Sequence, residues 1–141
     1  MHVYLLLAAL LTTAHALSTQ STSVKGRLLC GTSPAVGVEI KLFDKDTGFG
    51  PNPDDQLDKV LTDADGYFKL SGSSIELTDI DPEIRIYHDC RDIGQQCLRE
   101  WVFKIPSKYV TNGETSEQIM DFGTMNLEVE IDNEKRSCQE V

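Results

Sequence analysis

The sequence predicts an all-β protein, an antiparallel-rich β-sandwich of seven short strands in the immunoglobulin-like class. Three observations point there. Apolar residues recur with a period of two in segment after segment. Clusters of Gly, Pro, Asp and Ser separate those segments. No stretch has the spacing of an amphipathic helix, while four cysteines follow an apolar leader and suit a disulfide-braced β-domain.

The leader comes first. MHVYLLLAALLTTAHA has an apolar run over residues 3–11, then small residues ending in Ala14-His15-Ala16. The run is too short to span a bilayer and ends in an A-x-A pattern, so residues 1–16 read as a secretory signal peptide. Cleavage is expected between Ala16 and Leu17, which leaves 17–141 as a single domain, secreted and extracellular. No later apolar run reaches spanning length, so no transmembrane segment is expected. All charged side chains follow the leader, and the formal net charge of −10 belongs to the mature protein. That balance argues against nucleic acid as a partner, because phosphates need compensating cations. No Asn-x-Ser/Thr site occurs.

Residues 17–23 (LSTQSTS) form a polar lead-in. Residues 24–30 (VKGRLLC) alternate imperfectly and read as a strand, with a turn at Gly31-Thr32-Ser33-Pro34. Residues 36–44 (VGVEIKLFD) alternate cleanly, with Val36, Val38, Ile40 and Leu42 on one side. A Gly-, Pro- and Asp-rich loop over 45–55 precedes a short strand at 56–62. Asp63-Ala64-Asp65-Gly66 then supplies a tight turn whose glycine takes a positive φ, leading into a strand at 67–70.

The fold is organised around residues 84–97, IRIYHDCRDIGQQC. Ile84, Ile86 and His88 face one way, and a polar turn separates Cys90 from Cys97, as in a hairpin tied at its open loop. Residues 98–106 follow with Trp101, Phe103 and Ile105 on one face. In 119–131 the apolar phase changes at Gly123, from Met120 and Phe122 to Met125, Leu127, Val129 and Ile131; a bulge is expected there.

Taken in order, VKGRLLCGTSPAVGVEIKLFD, TDADGYFKLSG, DPEIRIYHDC, Cys97, KIPSKYV, DFGTMNLE and Cys138 resemble the nematode transthyretin-like family over nearly the whole mature chain. The resemblance implies a transthyretin-like (prealbumin-like) seven-stranded sandwich and secretion. One family member is described as an extracellular bridge between phosphatidylserine on dying cells and a phagocyte receptor. Four cysteines allow three pairings. The implied topology lays the first strand parallel to the seventh and favours Cys90–Cys97 with Cys30–Cys138.

Candidate chemistry is sparse. His88 is the only histidine after the leader, and beside a disulfide-bonded cysteine it makes neither a zinc site nor a Cys-His nucleophile. The related hydroxyisourate hydrolases resemble this sandwich but use several histidines and a C-terminal Tyr-Arg-Gly-Ser, whereas this chain ends KRSCQEV. A hormone channel like that of transthyretin needs an eighth strand, and only residues 132–141 follow Ile131. No catalytic residue, metal ligand or cofactor is therefore assigned. Asp44, Asp46, Asp54, Asp55, Asp58, Asp63 and Asp65 read as a solvated acidic edge that matches no EF-hand. Lys25, Arg27, Arg85, Arg91, Arg99, Lys104 and Lys108 are candidates for a local basic face. The expected function is a secreted, non-enzymatic binding module whose partner is an extracellular receptor protein or a cell-surface lipid such as phosphatidylserine. The alternative is a carrier of a small apolar ligand. A monomer or weak dimer is expected.

Overall fold

The computed structural model describes residues 17–45 and 54–138, and the expected signal peptide and its cleavage point before Leu17 lie outside the described residues. Two five-stranded sheets form a sandwich. In the first, the long strand β1 (Ser18–Cys30) is central. One of its edges pairs antiparallel with β2 (Ser33–Pro34) and β5 (Tyr67–Glu76). The other pairs antiparallel with β8 (Thr111–Asn112) and parallel with β9 (Ile119–Asn126). The second sheet runs β10 (Lys135–Ser137), β7 (Leu98–Lys104), β6 (Pro82–His88), β3 (Glu39–Asp44), β4 (Asp55–Leu61), all antiparallel. A short 3₁₀ turn at Ser107–Tyr109 leads from β7 toward β8.

The period-two pattern builds the core. Val24 and Leu28 of β1 and Phe68 and Leu70 of β5 face Ile40 and Leu42 of β3, Ile84 and Ile86 of β6 and Trp101 of β7; all are buried. Each such aliphatic or aromatic side chain removed from water contributes about 1.5–3 kcal/mol, so the alternating segments are held by one shared interior.

Seven long strands match the seven expected, but several boundaries differ for identifiable reasons. The lead-in is not loose: β1 begins at Ser18, and Gln20, Ser21, Thr22 and Ser23 are buried. Polar residues enter a sheet when their groups find partners. Gln20 donates to the Thr78 carbonyl (2.7 Å) and accepts from the Ile80 N–H (2.9 Å), and Thr22 donates to the Tyr109 carbonyl (3.1 Å). β5 likewise continues to Glu76, because Ser71 and Ser73 pair with Ser23 and Ser21 of β1. The strand expected from Val36 begins only at Glu39. Val36 and Gly37 (φ 71°) lie in a turn pinned by buried Thr62, whose hydroxyl donates to the Ala35 carbonyl (2.5 Å) and accepts from the Val38 N–H (2.9 Å).

β9 carries the expected bulge: Gly123 has φ 74°, and the register with β1 slips by one residue between Lys25 and Arg27. The strand then stops at Asn126 instead of running to Ile131. Asn126 accepts from the Gly31 N–H (3.0 Å) and the Glu128 N–H (3.1 Å) and donates to the Gly31 carbonyl (2.9 Å), which turns the chain away from the sheet.

That turn explains a correction. The disulfides are Cys30–Cys90 and Cys97–Cys138, not the expected Cys90–Cys97 and Cys30–Cys138. β1 and β9 are parallel as expected, but after Asn126 the chain crosses to the second sheet. There β10 pairs with β7, with Ser137 opposite Leu98, so Cys138 arrives beside Cys97. The β6–β7 ladder ends at the pair His88–Arg99, before its register would set Cys90 against Cys97. Arg91 takes a positive φ (55°), and Cys90 is buried against the end of β1. Cys30–Cys90 thus ties the two sheets together at one end of the sandwich.

Candidate functional site

His88 is structural in its surroundings. It is 3% exposed, its Nδ1 accepts from the Cys90 N–H (3.1 Å), and its ring stands edge-on to Trp101 at 5.2 Å. Burial, reinforced by the Arg99 charge, pushes its pKa down to about 4 against the opposing pull of Glu134, Asp89 and Asp92. An enclosed imidazole whose pKa lies near 4 has neither the access nor the basicity for general acid–base work near neutral pH.

The acidic edge does not converge as a whole. Asp63 accepts from the Asp65 and Tyr67 N–H groups (both 2.9 Å) and so shapes the β4–β5 turn. Asp58 accepts from the Ser71 N–H (3.0 Å), and Asp54 pairs with Arg85. Asp46 lies outside the described residues. Asp44 and Asp55 do meet, together with Glu76 of β5, their nearest oxygens within 4.8 Å of one another. Asp44 is buried and accepts from the Asp81 N–H (2.9 Å). Burial, with the neighbouring Glu76 and Asp55, raises its pKa to about 6 despite that hydrogen bond.

These two groups act on stability with opposite sign. Asp44 moves from an ordinary 3.8 up to about 6, so the folded state binds the extra proton between those values, and stability falls as pH rises through them. His88 moves from 6.5 down to about 4, so the unfolded state binds the extra proton in that window, and stability falls as pH drops. Each shift is worth about 1–3 kcal/mol, and in the native chain the slopes offset each other in mildly acidic solution. Asp44→Asn is expected to stabilise the protein at neutral pH and to expose a loss of Tm on acidification. His88→Gln should show the reverse slope. Tm curves of both variants that run parallel to the native one would contradict the assignment.

Most candidate cations are engaged singly. Arg85 pairs with Asp54 and Glu83, Arg91 with Glu128, and Lys104 approaches Asp81 (4.0 Å), while Lys108 lies over the Tyr109 ring. Arg99 is buried. Lys25 and Arg27 alone fall together, on the outward face of the first sheet, where they are joined by Lys69, a residue that sequence pattern alone does not single out. Outward positions on β1 run Ser21, Ser23, Lys25, Arg27. Their partners on β5 are Ser73, Ser71, Lys69, Tyr67. The guanidinium of Arg27 sits 5.1 Å from the Tyr67 ring centre and donates to the Asp65 carbonyl (2.8 Å). Around them opens a groove of about 560 Å³ that also reaches Leu61, Thr124 and the carboxylates of Asp63 and Asp121. The signal that could have found Lys69 was the polar alternation itself: serines and cations share the outward positions of both strands, and Lys25 and Lys69 lie in the segments 24–30 and 67–70 that read as strands.

Among the described residues no helix is long and apolar enough to cross a membrane. A family model described as TTR-52, transthyretin-like family, matches residues 25–106. Transthyretin-like protein 46 of Caenorhabditis elegans is 44% identical over 95% of this chain and 74% of its own length. Transthyretin-like proteins 33 and 5 of the same organism are 42% and 40% identical; the first alignment covers 89% of this chain and 86% of that protein, the second 95% and 96%.

Proposed function

The chain belongs to the transthyretin-like family, and from that membership we infer that it is a secreted, non-enzymatic binding protein. It leaves the cell after cleavage between Ala16 and Leu17, and works by laying the outward face of the β5–β1–β9 sheet on a cell-surface partner. The observation that carries this reading is the cluster of Lys25, Arg27 and Lys69 on one face of a chain whose formal charge is −10. Cations that gather on one face of so acidic a chain favour an anionic partner there. A phosphatidylserine-bearing membrane or an acidic patch on a receptor supplies such a partner, and the protein meets it as a monomer or weak dimer. The carrier alternative has less support, since the space between the sheets is filled by Trp101, Phe68, Leu28 and their neighbours.

Flotation with vesicles tests the lipid form of the reading. Protein should float with vesicles containing phosphatidylserine, less so as salt rises, and remain behind with phosphatidylcholine alone. Equal recovery of unbound protein from both would remove the lipid and leave the receptor.

A further inference from the structure

We propose that the outward face of the first sheet is a binding trough for a sulfated sugar chain, with cations at one end and hydroxyls at the other. The proposal rests on the reading of this face as the docking surface and names the chemistry it takes.

Three observations carry it. Lys25 and Lys69 are directly opposite in the β1–β5 register, a like-charge juxtaposition that is unfavourable in a sheet, with Asp121 beside Lys25 on the β9 side as their one cross-strand carboxylate among the described residues. Neither lysine enters an ion pair among the described residues. Two acids also line the groove, Asp121 opposite Lys25 on the β9 side and Asp63, and each commits one carboxylate oxygen to backbone N–H groups: Asp121 to Gly123 (2.8 Å), Asp63 to Asp65 and Tyr67 (both 2.9 Å). Arg27 is held in place by Tyr67 and the Asp65 carbonyl, so its remaining N–H groups are positioned in advance.

The second observation is continuity. Lys69 lines both the cationic groove and a second groove of about 330 Å³, whose floor is Ser21, Ser23, Ser71 and Ser73 and whose wall includes Glu114, Thr115 and Ser116. From Tyr67 to Ser73 the trough is about 20 Å long at the rise of a β-strand. The third is an unmet hydrogen bond: Ser21 is 2% exposed and lines the second groove, and its hydroxyl has no partner among the described residues. Beside it Ser23 and Ser71 share a hydroxyl–hydroxyl bond of 2.7 Å.

Hydroxyls that both donate and accept match the hydroxyls of a sugar, and opposed lysines match an acid ester carried on it. A phospholipid headgroup presents its charge at one point and would fill the Lys25–Lys69 end alone. An extended ligand that carries hydroxyls and sulfates in succession uses the whole face.

The test uses the intact, disulfide-bonded protein and a heparin-derived octasaccharide, followed by calorimetry at two salt concentrations. Binding is expected for the sulfated octasaccharide and lost for its desulfated form, with inorganic sulfate at matched charge binding far more weakly. Lys25→Gln with Lys69→Gln should weaken it at least tenfold and flatten its salt dependence. Ser71→Ala with Ser73→Ala should weaken the octasaccharide several-fold while leaving inorganic sulfate unchanged. Lys104→Gln with Lys108→Gln, an equal charge change elsewhere, should leave binding intact, and unchanged Tm values exclude misfolding in every variant. The proposal is overturned if the octasaccharide does not bind, or if both lysine pairs affect it equally. Retained binding to cells stripped of sulfated glycans, with Lys25 and Lys69 still required, would sink the sugar and leave the docking face standing.

Discussion

Replacing Arg99 with Met is expected to lower the free energy of unfolding by about 3–5 kcal/mol, the range for breaking a buried ion pair from one side. Arg99 is 5% exposed. Its Nη1 donates to the Cys90 and Leu127 carbonyls (both 3.0 Å), its Nη2 to the Val129 carbonyl (2.9 Å) and its Nε to Glu134 (2.7 Å). Trp101 Nε1 donates to the same Glu134 oxygen (2.6 Å). Burial raises the Glu134 carboxyl, but these hydrogen bonds outweigh it and hold the group below its ordinary value. The side chain therefore fixes, at once, the turn after β6 and the segment that carries the chain from β9 to β10. Truncation leaves three carbonyls and a carboxylate unpaired. Lys at this position should recover less than half the loss, because a single ammonium cannot serve a fork of four acceptors. Adding Glu134→Gln to the Met variant should return part of the stability. Urea unfolding reads all three variants, and a loss under about 1 kcal/mol for Arg99→Met would show that the network is dispensable.

The second large effect concerns Cys30–Cys90. Its loop spans a sequence separation of 60, and its Cα atoms are 5.7 Å apart. On chain-entropy grounds, removing it by Cys30→Ser with Cys90→Ser should cost about 4 kcal/mol. The Cys97–Cys138 loop, with a separation of 41, restrains the unfolded chain almost as much, and the two loops do not overlap. They differ in access. Cys90 is buried in the core whereas Cys138 is exposed, so mild reductant should open Cys97–Cys138 first. Non-reducing peptide mapping should recover a Cys30–Cys90 crosslink. Recovery of a peptide joining Cys90 to Cys97 would refute the pairing and, with it, the path assigned after Asn126.

How far the sequence was legible depended on where apolar residues did the specifying. Ile40, Leu42, Ile84, Ile86 and Trp101 alternate plainly, and they placed β3, β6 and β7 on their correct faces. The Gly123 bulge was visible because a strand whose apolar phase shifts by one must accommodate one extra residue. The start of β1 and the end of β5 were not, because Ser, Thr and Gln carry no periodic apolar signal; Gln20 and Thr22 are buried through hydrogen bonds to the distant Thr78, Ile80 and Tyr109. The disulfide pairing failed for a related reason. It turned on Asn126, one side chain whose two contacts with Gly31 divert the chain between sheets. The candidate site was hidden for a different reason: Lys25 and Lys69 lie in segments that read as strands, but Lys69 gains its meaning only from the β1–β5 register that sets it opposite Lys25, and alternation within each strand does not give that pairing.

The most direct measurement is amine acetylation of the protein bound to intact cells, compared residue by residue with the protein in solution. Lys25 and Lys69 should be protected on the cell surface, while the exposed Lys104, Lys108 and Lys135 label equally in both states. Equal labelling of Lys25 and Lys69 bound and free, with protection elsewhere, would mean that this face does not make the contact.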